Sequence, residues 1–353
     1  MSVISQHRLL ESLELHRNEL RLHCYRMLGS SHDTDDVLQE TAVRAWRASA
    51  ALEDPASVRA WLYRIASNVC LDELTRRRVR QLPYQAAPPA PADNLTIAPA
   101  EPEAWVEPCP AAWFDELPPD PAARYELQES VALAFVAALQ HLTPVQRAAL
   151  LLRDVVGLSA QETSQALSIG VQAANSALFR ARTAIDAKFA GNARAPRVAP
   201  SAAIEDVLAR YLAAWNELDV EAFVALLHDE VRTTMPPSPT WLVGRSCNVE
   251  FYRPMFAAQR PGAFLAVPTR ANALGAFAFY RTVGAGEPHR LRAIQLVELS
   301  EGAVLSIDHF MLPELGPAFG LPSELESARV AVPGAAESCL ELASSITNQK
   351  RPT

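Results

Sequence analysis

Residues 81–122 hold 11 prolines in 42 positions, and a chain interrupted that often cannot run a helix or a central strand through them. Such a stretch reads as an extended linker, longer than the connections inside compact domains. It therefore divides the 353 residues into parts that must bury their apolar surface separately. Trp105-Val106-Glu107-Pro108 and Trp113-Phe114 are costly to leave in water, so these aromatics either stand there by chance or dock the linker onto a neighbouring domain. A second boundary follows at 191–201, rich in Ala, Pro and Gly. Before the linker, and again over 123–190, the periodicity is helical; after 201 it becomes alternating.

The net charge of −8 argues at first against nucleic acid, but its distribution does not. Residues 81–122 carry seven acidic groups and no basic one, whereas 1–80 and 123–190 each sit at +1. No run of 18 apolar residues and no apolar leader is present, so neither a membrane span nor a signal peptide is expected. Cys24, Cys70, Cys109, Cys247 and Cys339 form no C-x-x-C pair, which suits reduced thiols in the cytoplasm and leaves no metal or other cofactor expected.

In the first module, helical patterns over 20–28 and 33–48 flank Gly29-Ser30-Ser31, and Asp33, Asp35 and Asp36 crowd the start of the second. Leu38, Ala42 and Ala45 are expected in the core, leaving Asp36, Gln39, Glu40 and Arg47 outward. On the next helix Val58, Leu62, Ile65 and Val69 make one apolar stripe. Trp61, Arg64, Asn68, Asp72 and Arg76 make another, and Arg76-Arg77-Arg78 with Arg80 closes the module. Aromatic and amide groups interleaved with Arg suit stacking on unpaired bases and contact with phosphates, although a salt-bridged surface could carry the same row.

In the second module Thr143-Pro144-Val145-Gln146 and Ser159-Ala160-Gln161-Glu162 are both helix starts with capping boxes. A short helix ending at Leu167, the turn Ser168-Ile169-Gly170 and a longer helix form a helix-turn-helix pattern. Gln172, Asn175 and Ser176 are short polar groups suited to base edges, with Arg180 and Arg182 within reach of phosphates. With so few cations the affinity for DNA alone is low, which fits a subunit held on promoters by a larger enzyme.

His23-Cys24-Tyr25-Arg26-Met27-Leu28-Gly29, Asp35-Asp36-Val37-Leu38-Gln39-Glu40-Thr41 and Ala60-Trp61-Leu62-Tyr63-Arg64-Ile65-Ala66-Ser67-Asn68 resemble region 2 of extracytoplasmic-function (ECF) sigma factors, a branch of the sigma-70 family. The helix-turn-helix resembles region 4 of the same family. The resemblance implies a sigma factor of RNA polymerase, without enzymatic activity of its own, that directs promoter-specific transcription initiation. It further implies that Asp35, Asp36, Gln39 and Glu40 engage the core enzyme, with the β′ clamp helices and the β subunit as partners. Trp61, Arg64, Asn68, Asp72, Arg76 and Arg77 would then serve the −10 element, and Gln172, Asn175, Ser176, Arg180 and Arg182 the −35 element.

After 201, two amphipathic helices (204–215 and 220–227) precede strand-like segments at 231–235, 264–269, 276–283, 291–299 and 304–311, with a helical stretch at 246–257. That order indicates an α+β domain with a curved, antiparallel sheet. Together with 235–241 and Ile307-Asp308-His309-Phe310 it resembles a SnoaL-like cone, a fold that some sigma factors carry as a C-terminal extension. Adjacent on a strand, Asp308 and His309 must point to opposite faces and cannot form a dyad. Trp215, Met235, Trp241 and His309 are the candidate lining of a cone pocket.

The expected architecture is thus multidomain, with two all-α modules followed by an α+β cone. Region 2 is placed at 8–80, the linker at 81–122, region 4 at 123–190, the cone at 201–320 and a tail at 321–353. The cone is expected to regulate the sigma modules through contact with region 2 or the linker. The alternatives are a cone that senses a small ligand and a cone that is a cyclase- or isomerase-like enzyme.

Overall fold

The computed structural model describes residues 6–49, 57–91, 105–114, 130–189 and 202–326 except Ala273 and Ala285. These fall into two compact units, divided at Gln81/Leu82, Trp105/Val106 and Arg194/Ala195.

The helical unit opens with α1 (Gln6–Leu15), α2 (Arg17–Leu28), α3 (Ser31–Ala48) and α4 (Val58–Leu74). Gly29 ends α2 in the left-handed conformation, φ 69°, and Ser30 starts α3 by accepting the Asp33 amide at 3.1 Å. The core stripe of α3 runs through Thr34, Val37, Thr41 and Ala45, one position away from the expected Leu38 and Ala42, which are half-buried. On α4 the buried side is Leu62, Tyr63, Ala66, Ser67, Val69 and Cys70, with Val58 and Ile65 packed at its margin.

A one-turn helix, α5 (Pro83–Ala86), belongs to the other unit. The helical unit resumes with α6 (Leu133–Leu139), α7 (Pro144–Leu150), α8 (Ala160–Leu167) and α9 (Val171–Phe189). Thr143 and Ser159 cap α7 and α8 through the two expected capping boxes. Ser168, at φ 54°, turns the chain between α8 and α9. One apolar cluster runs through all of these helices, joining Leu20, Met27, Leu62 and Val69 to Leu139, Leu151, Leu167 and Leu178. The two helical modules therefore share a core. Arg147 of α7 strengthens the joint: its guanidinium donates to the Met27 carbonyl at the end of α2 and to the Gln140 and Leu142 carbonyls at 3.0 and 3.3 Å. Orphan carbonyls at a helix C-terminus suit a cation.

The second unit comprises α10 (Ala202–Glu217), α11 (Val220–Ala225) and α12 (Arg245–Ala257) around one sheet. Its strands are β1 (Leu227–Thr234), β2 (Trp241–Val243), β3 (Phe264–Ala271), β4 (Leu274–Arg281), β5 (His289–Ser300), β6 (Ala303–Phe310) and β7 (Glu324–Leu325). The order is β2-β1-β6-β5-β4-β3, with β7 on β5. All pairs are antiparallel except β1 with β6, which differs from the expected all-antiparallel run. The helices separating β1 from β6 in sequence permit that crossover.

The sheet faces are distinct. Thr233, Ile307, Val297, Gln295, His309, Phe277 and Phe279 share one face by register. The helices pack on it, and Gly275 there abuts Leu208 so closely that a Cβ would lie 2.6 Å from it. Arg232, Thr234, Trp241, Ser306, Asp308 and Leu296 share the opposite face.

The Pro-rich segment is only partly the extended linker expected. Pro83 starts a helical turn, where its missing N–H costs nothing. Trp113 and Phe114 are each 5% exposed. The edge of Trp113 meets the Tyr25 ring at 6.2 Å, and the Arg21 guanidinium lies 5.0 Å from the Trp113 ring centre. Residues 92–104 and 115–122 of the segment, and the tail beyond Glu326, lie outside the described residues.

Candidate nucleic-acid interface

The start of α3 is built by charges from three places in the chain. Asp33 is buried, and its Oδ2 accepts Arg77 Nη1 at 2.7 Å and Arg80 Nη2 at 2.8 Å. Glu107, from the proline-rich segment, accepts at Oε2 the Ser30 hydroxyl at 2.9 Å, the Ser31 hydroxyl at 3.2 Å and the His32 amide at 3.1 Å. Arg80 reaches its other oxygen at 3.4 Å. A carboxylate at the positive end of a helix is favoured there. The network fixes the direction of α3 and uses Arg77 and Arg80 structurally. Sequence reading assigned Arg77 to DNA and missed Glu107, for which the only signal was Ser30-Ser31 awaiting an acceptor.

Along α3, Asp36 and Gln39 are exposed. Asp35 pairs with Arg21 at 3.1 Å, and Glu40 with Arg44 at 2.8 Å. Arg44 also holds Asp72 of α4 at 2.7 Å. Arg64 and Arg76 are exposed, Asn68 is half-buried, and Trp61 is half-buried against the shared apolar cluster. Behind this surface His23 is fully buried, its Nε2 2.9 Å from the Ser67 hydroxyl. Burial, helped by the Arg26 cation, holds its imidazole down at about 3.

On α9, Val171, Gln172, Asn175, Ser176, Phe179 and Arg180 line one open groove. Phe179 is 71% exposed. The expected base-reading groups are thus together on one side of the longer helix. Arg182 departs from them: both its Nε and Nη2 are engaged by Asp154, at 2.9 and 2.6 Å.

In the second unit Trp215 sits in an aromatic cluster, with Phe279 at 4.7 Å, Phe256 at 4.9 Å and Phe223 at 5.8 Å between ring centres. His309 borders the cluster, 5.6 Å from Phe279. Gln295 links His309 Nδ1, at 2.8 Å, to the Tyr211 hydroxyl, which donates to Gln295 Oε1 at 2.6 Å. Burial lowers His309 to about 4, so it stands neutral and satisfied. Of the expected pocket residues, Trp215 and His309 meet on the helix-covered face and Met235 is buried, while Trp241 lies on the other face. Asp308 also lies there and accepts the Thr234 hydroxyl at 2.8 Å. Burial raises its pKa. Among the described residues no group of His, Cys, Asp and Glu is arranged to hold a metal.

The models for Sigma-70 region 2, Sigma-70 region 4 and a SnoaL-like domain match residues 13–80, 132–185 and 208–307. The ECF RNA polymerase sigma factor SigG of Mycobacterium tuberculosis (strain ATCC 25618 / H37Rv) is 38% identical over 312 residues, covering 88% of this chain and 83% of the relative. The chain belongs to the ECF sigma factors.

This sigma factor is also similar to SigJ of the same organism, 27% identical over 64% of each chain. The crystal structure of M. tuberculosis SigJ covers 89% of this sigma factor and 99% of its own chain, at a TM-score of 0.57 and 22% identity, a likeness of fold. The sigma factor directs transcription initiation by RNA polymerase and carries a SnoaL-like C-terminal domain. No helix among the described residues is long and apolar enough to cross a membrane.

Proposed function

We propose that the sigma factor reads the −35 element with Gln172, Asn175, Ser176 and Arg180. The grouping of these side chains along one groove of α9 carries the reading. Arg182 joins them only by exchanging Asp154 for a phosphate. The −10 element falls to Trp61, Arg64, Asn68, Asp72 and Arg76, on α4 and just beyond it, and Arg77 joins them only by exchanging Asp33 and Glu73 for a phosphate. Trp61, half-buried, offers the exposed part of its ring for stacking on a base. Core polymerase is held through α3, chiefly by exposed Asp36 and Gln39, flanked by Asp35 and Glu40, with the β′ clamp helices and the β subunit as its surfaces. The protein acts in the cytoplasm, where core polymerase and promoter DNA are.

The SnoaL-like domain is a regulator and not an enzyme. Its inner face is filled by aromatic rings around Trp215, and the imidazole of His309 is spent on Gln295. It acts on the sigma modules by intramolecular contact through the linker. Run-off transcription with core polymerase, comparing the full chain with 1–190, tests this: removal of the domain changes core affinity or transcript yield, and identical behaviour contradicts it.

A further inference from the structure

Part of the linker is already seated on the SnoaL-like domain. Tyr84, on α5, lies with its ring centre 4.1 Å from the Arg232 guanidinium of β1 and 6.3 Å from the Trp241 ring, edge to face. Trp241 Nε1 donates to the Ala87 carbonyl at 2.7 Å, and the Ala90 amide donates to the Trp241 carbonyl at 2.9 Å. Cys247 Sγ, from α12, lies 3.7 Å from the Ala90 carbonyl. Contacts from β1, β2 and α12 thus converge on residues 84–90.

The chemistry of this seat is that of peptide recognition. Prolines at 83, 88, 89 and 91 favour an extended backbone that loses little entropy on docking, and an indole N–H donating to its carbonyl is the usual anchor for such segments. The niche is also selective for an aromatic ring. Arg232 Nε is buried without a hydrogen-bond partner, so the π-face of Tyr84 is the group that meets this cation. Burial pushes the pKa of the phenol up to about 12, against the pull of the Arg232 cation and with the Asp308 and Glu298 carboxylates adding to the rise, which keeps it a neutral hydroxyl.

We propose that the niche between Arg232 and Trp241 is a phenol-binding site which Tyr84 fills as a tethered ligand, and that a free phenolic compound taking its place releases residues 84–90 from the domain. This rests on the reading that the domain acts through the linker, and it supplies the element that such regulation moves. The attachment is small, one ring and two strong hydrogen bonds, so a competitor has little to overcome.

Hydrogen exchange of the full-length protein, with p-cresol as the probe, tests the site. Tyr84→Ala is expected to raise exchange of the Gln85, Ala86, Ala87 and Ala90 amides at least tenfold, with α10 and β4 amides unchanged. It should also open a hole that binds p-cresol at millimolar concentration, at least tenfold tighter than the wild type does. Trp241→Phe removes the indole donor and should raise exchange of the Ala87 and Ala90 amides, while Tyr84→Ala combined with Trp241→Phe keeps cresol binding. Unchanged exchange in Tyr84→Ala, or cresol binding that is equal in both proteins or absent from both, overturns the proposal. Exchange and cresol binding that behave as expected, with core affinity of Tyr84→Ala equal to wild type, keep the phenol site and refute only its coupling to the sigma modules.

Discussion

The Val106 amide donates to the Gln81 carbonyl at 3.1 Å, joining two residues of the helical unit that lie 25 positions apart in the sequence. Immediately after Val106, Glu107 caps α3, the helix assigned to polymerase. Arg80 and Glu107, the neighbours of this pair, thus both hold the start of α3.

Glu107 is the residue whose loss should be felt most in the helical unit. Glu107→Ala strands the Ser30 and Ser31 hydroxyls and removes a partner of buried Arg80, a change that typically costs about 3–5 kcal/mol. Urea unfolding followed through exchange of α3 amides should show a loss of that order. A change below about 1 kcal/mol would mean that the cap is dispensable.

Asp36→Ala with Gln39→Ala should leave the melting temperature within a degree or two, since both side chains are exposed. Core polymerase affinity, measured by fluorescence anisotropy, should fall about tenfold or more, the loss of ~1.4 kcal/mol. Unaltered affinity would remove that face from the polymerase interface.

Acid should destabilise the helical unit through His23. Its folded pKa, about 3, lies below the unfolded value, so the unfolded chain binds the extra proton. The stability present above pH 6.5 is lost as pH falls toward 3, at up to about 1.4 kcal/mol per unit. His23→Gln should flatten the pH dependence of α2 amide protection between pH 6.5 and 4.5; an unchanged slope would show that other groups carry it.

Much of this was legible beforehand because local chemistry and tertiary demand agreed. Thr143 and Ser159 announced their helices, and Asp308-His309 alternated across the sheet as adjacent strand residues must. What escaped depends on partners distant in sequence. Nothing near Arg77 or Arg182 shows that Asp33 and Asp154 hold them. Nothing in the proline-rich segment shows that Tyr84 meets Arg232, which lies in another domain of the sequence. The sequence places Trp241 beside Trp215 in the cone, and only the strand register shows it on the other face of the sheet.

The central claim is promoter reading by α9 within a polymerase holoenzyme. The most direct measurement is run-off transcription by core polymerase and this protein on a promoter library randomised across the −35 element. Gln172→Ala or Ser176→Ala is expected to change which base is preferred at a defined −35 position, by about 1–3 kcal/mol of discrimination. Arg180→Ala should weaken initiation evenly across sequences and reduce the salt dependence by about one phosphate contact. Promoter-specific transcripts with those shifts are the result predicted. A wild-type holoenzyme that yields no promoter-specific transcript, or variants that alter yield only through lost stability, would contradict the account.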